Sequence, residues 1–382
     1  SMSKPNFNRP TWAEINLDNL AGNFHSVKKF VGNEVQYMAV VKADAYGHSS
    51  IKCAERLEKE GIDWFGVALP EEGVQLRIEN ITTPVLCLGS FWRGQENLLL
   101  DNNLTPVIYN LDLAENLNTA AKHRNITVPI HIKVDTGMGR IGVRFDEVEQ
   151  FSETLLGFKN LKVEGMMTHF ASADDLSEND FTNLQISRFY EAVKVFENKG
   201  FHPIYKDLAN SPGAVAHPNS RGNLVRLGGI LYGLGDDVLP QNIELPKTKP
   251  VMSLHSKITH LKIVPKGYTL GYGRTFSTRK DSVIATIPIG YQDGYSRALS
   301  NCGKVIVRNQ FAPVVGRISM DWTIIDVTGI EGVKINDEVI LIGNSKDLTI
   351  KTEELAEKTG TISYEITCGI NRRVERIYVE GK

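Results

Sequence analysis

The sequence predicts an α/β chain: an N-terminal (β/α)8 barrel over residues 12–240, then a mainly β domain over 245–382, with residues 1–11 placed to pack with the second domain. Three observations carry this. Between about residue 17 and residue 230, short apolar runs alternate with helical patterns or loops, eight times over. After about residue 245 such runs follow one another with short turns. Between the two, "LPQNIELPKTKP" holds three prolines and suits a linker. Eight strand-then-helix units in roughly 230 residues fit a closed parallel barrel of the TIM type. An open doubly wound sheet carries the same alternation.

The elements follow in order. "LDNLAGNFHSVKKFV" sets Leu17, Leu20, Phe24, Val27 and Val31 on one helical face. "MAVVK" is the first barrel strand. "SSIKCAERLEKEG" is a helix with Ser49 or Ser50 as N-cap and Gly61 past its end. The other strands are "WFGVAL", "PVLCLG", "TPVIYN", "PIHIKVD", "VEGMMTHF", "YKDLAN" and "LVRLGG". The strongest helix, "NLQISRFYEAVKVFENKG", is closed by Gly200. In the second domain "VMSLHSKITHLKIV", "SVIATIPIGY", "KVIVRNQFAPVVGRI", "WTIIDV" and "DEVILIG" read as strands, and only "KTEELAEKTG" reads as a helix.

Composition excludes several classes. The chain has 382 residues, 41% hydrophobic and 23% charged, with net charge −2, so no bulk charge draws it to nucleic acid or an anionic membrane. No apolar run approaches the roughly 20 residues that span a bilayer. "SMSKPNFNRP" lacks the apolar core of a signal peptide. Cys53, Cys87, Cys302 and Cys368 are far apart with no CxxC, which fits reduced thiols in a cytoplasmic protein and no metal site.

Polar residues gather at the C-terminal ends of the barrel strands. Lys42 ends the first; Lys133 and Asp135 end the fifth; His169 ends the sixth. Asn210 and Ser211 end the seventh, and Arg226, Gly228 and Gly229 the eighth. In a barrel these ends form one rim, where active sites sit. The last two loops offer a hydroxyl and the N–H groups of a Gly-Gly, which suit a phosphate. A lysine at the end of a buried strand loses hydration and needs a partner, a shifted pKa or a covalent bond. An amine beside a phosphate cradle points to pyridoxal 5'-phosphate, whose aldehyde takes a lysine as a Schiff base. A surface lysine that snorkels is the alternative for Lys42 taken alone.

Eight motifs then appear in order: "VVKADAYGH", "KVDTGMGRIG", "THFASAD", "ANSPG", "VRLGGILYGL", "GYGRTF", "IPIGYQDGY" and "GRISMDW". Together they closely resemble bacterial alanine racemase over most of the chain. The resemblance implies interconversion of L- and D-alanine by two-base α-proton transfer, supplying D-alanine for peptidoglycan. It implies that Lys42 carries the cofactor and is one base, and that Tyr272 is the other. Free lysine and tyrosine have pKa values of about 10.4 and about 10, so such a site must make both better bases. A glycine-rich turn with a packed aromatic is the alternative for Tyr272.

The remaining roles are implied in the same way. Tyr272 reaches the cofactor of a partner subunit, which makes a homodimer with shared active sites. Met320 and Asp321 lie on the same partner face, and Met320 with Tyr364 narrows the pocket to a small side chain. Arg226 faces the pyridine nitrogen, where a permanently charged donor disfavours protonation of the ring. His169 orients Arg226 and Tyr272, or is a structural histidine. Arg140 holds the cofactor's phenolic oxygen and the substrate carboxylate region. Lys133 matches a lysine carried as a carbamate in many relatives; an exposed rim lysine is the alternative. Tyr46, Asn210, Ser211, Gly228, Gly229 and Tyr364 belong to the cofactor shell. Asp174, Tyr291 and Arg297 match the mouth of the substrate channel. Ser49 departs from the glycine that often follows "YGH", as the N-cap of the next helix.

Three rival functions remain. A barrel-only cofactor carrier lacks the "GYGRTF" domain. A related amino-acid decarboxylase often uses a cysteine of its β domain, in a motif absent around Cys302 and Cys368. A racemase for serine or larger amino acids is usually exported.

Overall fold

The computed structural model describes residues 8–381. Two compact units divide the chain: residues through Asn19 together with those from Pro250 onward, and Leu20–Lys249.

The middle unit is a closed barrel. After β1 (Thr11–Asn16), its strands are β2 (Gln36–Val40), β3 (Trp64–Val67), β4 (Val85–Cys87), β5 (Leu104–Ile108) and β6 (Val128–Asp135). The two-residue β7 (Val143–Arg144) hangs on β6 outside the ring. β8 (Leu161–Met167), β9 (Tyr205–Asp207) and β10 (Leu224–Leu227) complete it. Every pairing between neighbours is parallel, β5 pairs with β6 and β10 with β2, so eight strands close on themselves. Closure removes both sheet edges, which an open doubly wound sheet would leave. Met38, Trp64, Leu86, Val107, Met167 and Leu224, one from each of six strands, pack as an apolar plug. At about 25 cal/mol per Å2 of apolar surface buried, such a layer is the main force holding the ring shut.

The chain enters the β unit before the barrel. The stretch from residue 12, read from the sequence as the start of the barrel, forms β1 instead. It pairs antiparallel with Met252–Lys257 and parallel with Glu375–Val379. Its alternation of buried and half-buried residues fits a sheet with one covered face. Of residues 1–11, expected beside this domain, residues 1–7 lie outside the described residues; Thr11 Oγ1 donates to the Pro288 carbonyl at 2.7 Å. A second sheet holds His260–Val264, Ser282–Ile287 and Thr323–Asp326 in antiparallel order. Lys304–Val307 and Gln310–Pro313 form a hairpin whose turn residues Arg308 and Asn309 both have positive φ, the twist that tight hairpins require. Besides the expected helix Thr352–Thr359, the unit has a second one, Ser363–Cys368. Six residues are too few to show a helical period in the sequence.

Candidate active site

Strand side chains alternate faces, so residues two apart share one. Met38 and Lys42, Leu224 and Arg226, Tyr205 and Asp207, and His131 and Lys133 are such sets. The inward faces that build the plug therefore carry charge at the rim. Lys42 lies just beyond β2 and is half-buried, while Lys133 and Arg226 are only 5% and 4% exposed. That burial removes the reading of Lys133 as an exposed lysine.

The chain leaves Lys42 by an unusual path. Ala43, Asp44, Ala45 and Tyr46 all have φ between 52° and 56°, one left-handed turn of non-glycine residues. Each such residue costs about 1–2 kcal/mol, so neighbours must hold the turn. The Glu72 carboxylate accepts the Ala43 N–H at 2.8 Å, and those of Ala68 and Leu69 at 2.8 and 2.9 Å. His48 Nδ1 reaches the carbonyls of Ala45 and Tyr46 at 2.9 and 3.0 Å. Ser49 stands at the N-cap of helix Ser50–Lys59, yet its side chain makes no cap bond. The Asp44 carboxylate accepts the Ser50 N–H at 2.8 Å instead. Ser49 has φ 77°, a conformation that glycine adopts without cost. We expect Glu72→Ala to leave three amides without their acceptor and to lower unfolding free energy by about 1–3 kcal/mol, read by urea titration. An unchanged midpoint would mean that the turn holds itself.

A charge cluster fills the rim. Arg226 donates to the fully buried Asp207 carboxylate, to the Thr168 carbonyl at 3.0 Å, and toward His169 Nδ1 at 3.2 Å. Arginine only donates, so Nδ1 accepts and the His169 proton sits on Nε2. Burial first, then Arg226, Lys133, Arg140 and Lys42, push the His169 pKa down to about 2, so the ring stays neutral. Burial and then the charges of Arg226, Arg140 and Lys42 bring Lys133 down to about 7. Burial pushes the Asp207 carboxyl up, against the pull of Arg226. Thr168 Oγ1 donates to the Val134 carbonyl at 2.9 Å, so Thr136 Oγ1 donates to Thr168 at 2.7 Å. Gln185 Nε2 then reaches Thr136 Oγ1 at 3.1 Å and the His169 carbonyl at 3.0 Å. This chain of bonds fixes the backbone under His169.

The loops after β9 and β10, with the turn after β2, fit a phosphate. The Gly228 N–H donates to Ser211 Oγ at 3.0 Å, which leaves the serine hydrogen to be donated elsewhere. A Cβ on Gly228 would lie 2.4 Å from the Tyr46 hydroxyl, so only glycine lets that hydroxyl approach the backbone. Asn210 caps helix Ser211–Ala216 by accepting the Gly213 N–H at 3.1 Å, which fixes Ser211. Gly229 opens the short turn Gly229–Tyr232, and the Tyr232 hydroxyl ties it to the Val40 carbonyl of β2 at 2.7 Å. Two hydroxyls and a glycine backbone on one side, with a lysine amine at the rim, match the phosphate and the aldehyde of pyridoxal phosphate.

The other predicted residues are placed as follows. Arg140 is exposed in the loop after β6, within electrostatic reach of Lys133 and His169. Asp174 is exposed in the loop after β8, beside Asp175, Asp236 and Asp237 around a surface hollow. In the β unit Tyr272 opens the turn Tyr272–Arg274 and is 71% exposed, so it is not the packed aromatic of the alternative reading. Tyr291, Arg297 and Met320 are exposed, and Tyr364 is half-buried on helix Ser363–Cys368. Sequence reasoning missed Asp207, Glu72, Thr136, Thr168 and Gln185. Asp207 left one usable signal: an acidic residue on the inward parity of "YKDLAN".

Comparison with known proteins covers nearly the whole chain. Residues 15–236 match the family model "Alanine racemase, N-terminal domain", and residues 251–378 match "Alanine racemase, C-terminal domain". An alanine racemase of Geobacter sp. (strain M21) is 44% identical over 380 residues, covering 97% of this chain and 99% of that one. The crystal structure of alanine racemase from Bacillus anthracis with bound L-Ala-P is 34% identical, with a TM-score of 0.92 over 98% of this chain and 96% of that one. That from Bartonella henselae with covalently bound pyridoxal phosphate is 29% identical, with a TM-score of 0.86 over 97% and 99%.

Proposed function

The chain belongs to the alanine racemase family, and on that premise we propose how its residues carry the reaction. It is a pyridoxal-phosphate-dependent isomerase that interconverts L- and D-alanine, supplying D-alanine for peptidoglycan. The observation that supports the residue assignments is the rim of β2, β9 and β10, where Lys42, an arginine fixed by Asp207 and a cradle of two hydroxyls and a glycine backbone end neighbouring strands.

When bound, pyridoxal phosphate withdraws electrons from an amine held on its aldehyde and so loosens the α-hydrogen. Tyr46, Asn210, Ser211, Gly228, Gly229 and Tyr364 hold its phosphate end. Arg226, fixed by Asp207, would present a donor that cannot lose its proton to the ring nitrogen and so disfavour protonation of that nitrogen. Arg140 takes the phenolic oxygen and the substrate carboxylate. Lys42 Nζ and, from the partner subunit, Tyr272 Oη would meet opposite faces of the α-carbon, one removing its proton and the other delivering one. Met320 and Tyr364 limit the side chain to about a methyl group. Asp174, Tyr291 and Arg297 line the way in.

The exposure of Tyr272, Tyr291 and Met320 within their own chain supports a homodimer in which each barrel receives these residues from its partner. The proposed compartment is the cytoplasm, where the four cysteines, none of them in a disulfide, remain thiols. No helix among the described residues is long and apolar enough to cross a membrane. The test of function is optical: L-alanine incubated with protein and pyridoxal phosphate should lose its circular dichroism as it reaches an equal mixture of enantiomers. Retained signal with alanine and loss with serine would move the enzyme to another substrate.

Lys133 is the proposed carbamate. An amine about half neutral at pH 7 attacks carbon dioxide, forms an N–C bond and releases one proton, which gives an anion beside Arg140. Without carbon dioxide the same shift has a pH signature. Between about pH 7 and pH 10.5 the unfolded chain holds a proton on this lysine that the folded chain has lost, so its contribution to stability rises with pH. In carbon-dioxide-free buffer, wild type should therefore gain stability relative to Lys133→Met from pH 7 to about pH 9 in denaturant titrations. Parallel curves would mean that Lys133 is not depressed.

A further inference from the structure

The β unit holds a buried carboxylate that the reaction above does not use. Asp293 has no exposed surface. Arg9 grips it with two parallel bonds, Nη1 to Oδ1 and Nη2 to Oδ2, each 2.8 Å. Arg373 Nε donates to Oδ1 at 2.6 Å, and the Gly290 N–H to Oδ2 at 3.0 Å. Burial alone would raise its pKa, but the bonds from Arg9 and Arg373 outweigh burial and hold it below the usual carboxylate range.

Three segments meet at this carboxylate. Asp293 closes the turn Tyr291–Asp293. The Tyr291 N–H donates to the Ser319 carbonyl and the Gln292 N–H to the Met320 carbonyl, both at 3.0 Å. Gly290 is pressed so closely on this segment that a Cβ would lie 2.4 Å from the Met320 carbonyl oxygen. Arg373 reaches on with Nη2 to Asp321 Oδ1 at 2.6 Å. The Asn371 N–H donates to the Asp293 carbonyl at 2.9 Å, which fixes the chain leaving helix Ser363–Cys368 and thus the helix that carries Tyr364.

We propose that Asp293 is a positioning residue for substrate size: through Arg373 and Asp321 its carboxylate locks the Met320 segment against the Tyr291 turn, and so sets how closely Met320 fits a methyl side chain. The inference rests on the reading of Met320 and Tyr364 as pocket residues. An asparagine at 293 would turn an NH2 group toward a guanidinium, donor against donor, and the Met320 segment would lose one fixed edge. A pocket that is looser by a fraction of an ångström admits a hydroxymethyl group more easily than it loses a methyl group.

The test measures kcat and KM of the holoenzyme for L-alanine and L-serine in wild type, Met320→Ala, Asp293→Asn and Arg9→Gln. Met320→Ala should raise the serine-to-alanine ratio of kcat/KM by roughly tenfold, the scale on which pockets discriminate single small groups. Asp293→Asn should raise it in the same direction by a smaller factor, mainly through a lower KM for serine, with the cofactor absorbance unchanged. Arg9→Gln keeps the carboxylate and is the milder change; it should follow Asp293→Asn, and it decides the question if that variant does not fold. A ratio that stays at wild-type value in both, while Met320→Ala shifts it, would reduce Asp293 to a structural role. A ratio unmoved even in Met320→Ala would overturn the pocket reading and this inference with it.

Discussion

Tyr272→Phe is expected to lose racemisation by about two to four orders of magnitude, the range that a positioned acid–base group contributes. The substitution removes one oxygen from a side chain that is 71% exposed in its own chain, so folding should be untouched. The absorbance of the lysine-bound cofactor should persist, because Tyr272 has no part in that bond. One face of the α-carbon would still meet Lys42. Solvent hydrogen should then wash into one enantiomer only, with its configuration retained. A Tyr272→Phe enzyme with wild-type kcat, measured by chiral chromatography, would remove this residue from proton transfer.

Mixing two dead variants is expected to restore activity. Lys42→Ala should abolish turnover, and Tyr272→Phe nearly so. If each site takes Lys42 from one subunit and Tyr272 from its partner, a mixed dimer has one site with both defects and one site with none. Random exchange makes half the dimers mixed, and half of their sites intact, so roughly one quarter of wild-type activity should return. If each chain completes its own site, every site in the mixture keeps one defect and no activity returns. The comparison needs only subunit exchange and a racemisation assay, and its two outcomes do not overlap.

The barrel and its rim were legible for a physical reason. A charged residue ending an apolar strand has few explanations, so Lys42, Lys133 and Arg226 stood out, and the Gly228–Gly229 pair marked the cradle. Asp207 did not, because a single acidic residue in a three-residue strand reads equally well as solvated. Its burial and its pairing with Arg226 exist only once β9 and β10 are adjacent. The left-handed turn was hidden by its composition, since Ala43 and Ala45 favour ordinary helix and the restraint comes from Glu72, far along the chain. β1 falls inside the barrel bounds drawn from the sequence because nothing local marks its pairing; its partners lie more than two hundred residues away. Tyr272 was found through resemblance alone, for nothing in "GYGRTF" distinguishes a base from a surface tyrosine.

The central claim is that two bases on opposite faces exchange the α-proton of alanine. The measurement that meets it most directly is racemisation in heavy water, starting from L-alanine with the wild-type holoenzyme, stopped at low conversion. Two-base transfer predicts that the D-alanine formed carries deuterium at Cα, while much of the remaining L-alanine still carries hydrogen. D-alanine formed with its original hydrogen retained would contradict it, because one group would then have carried the same proton from face to face.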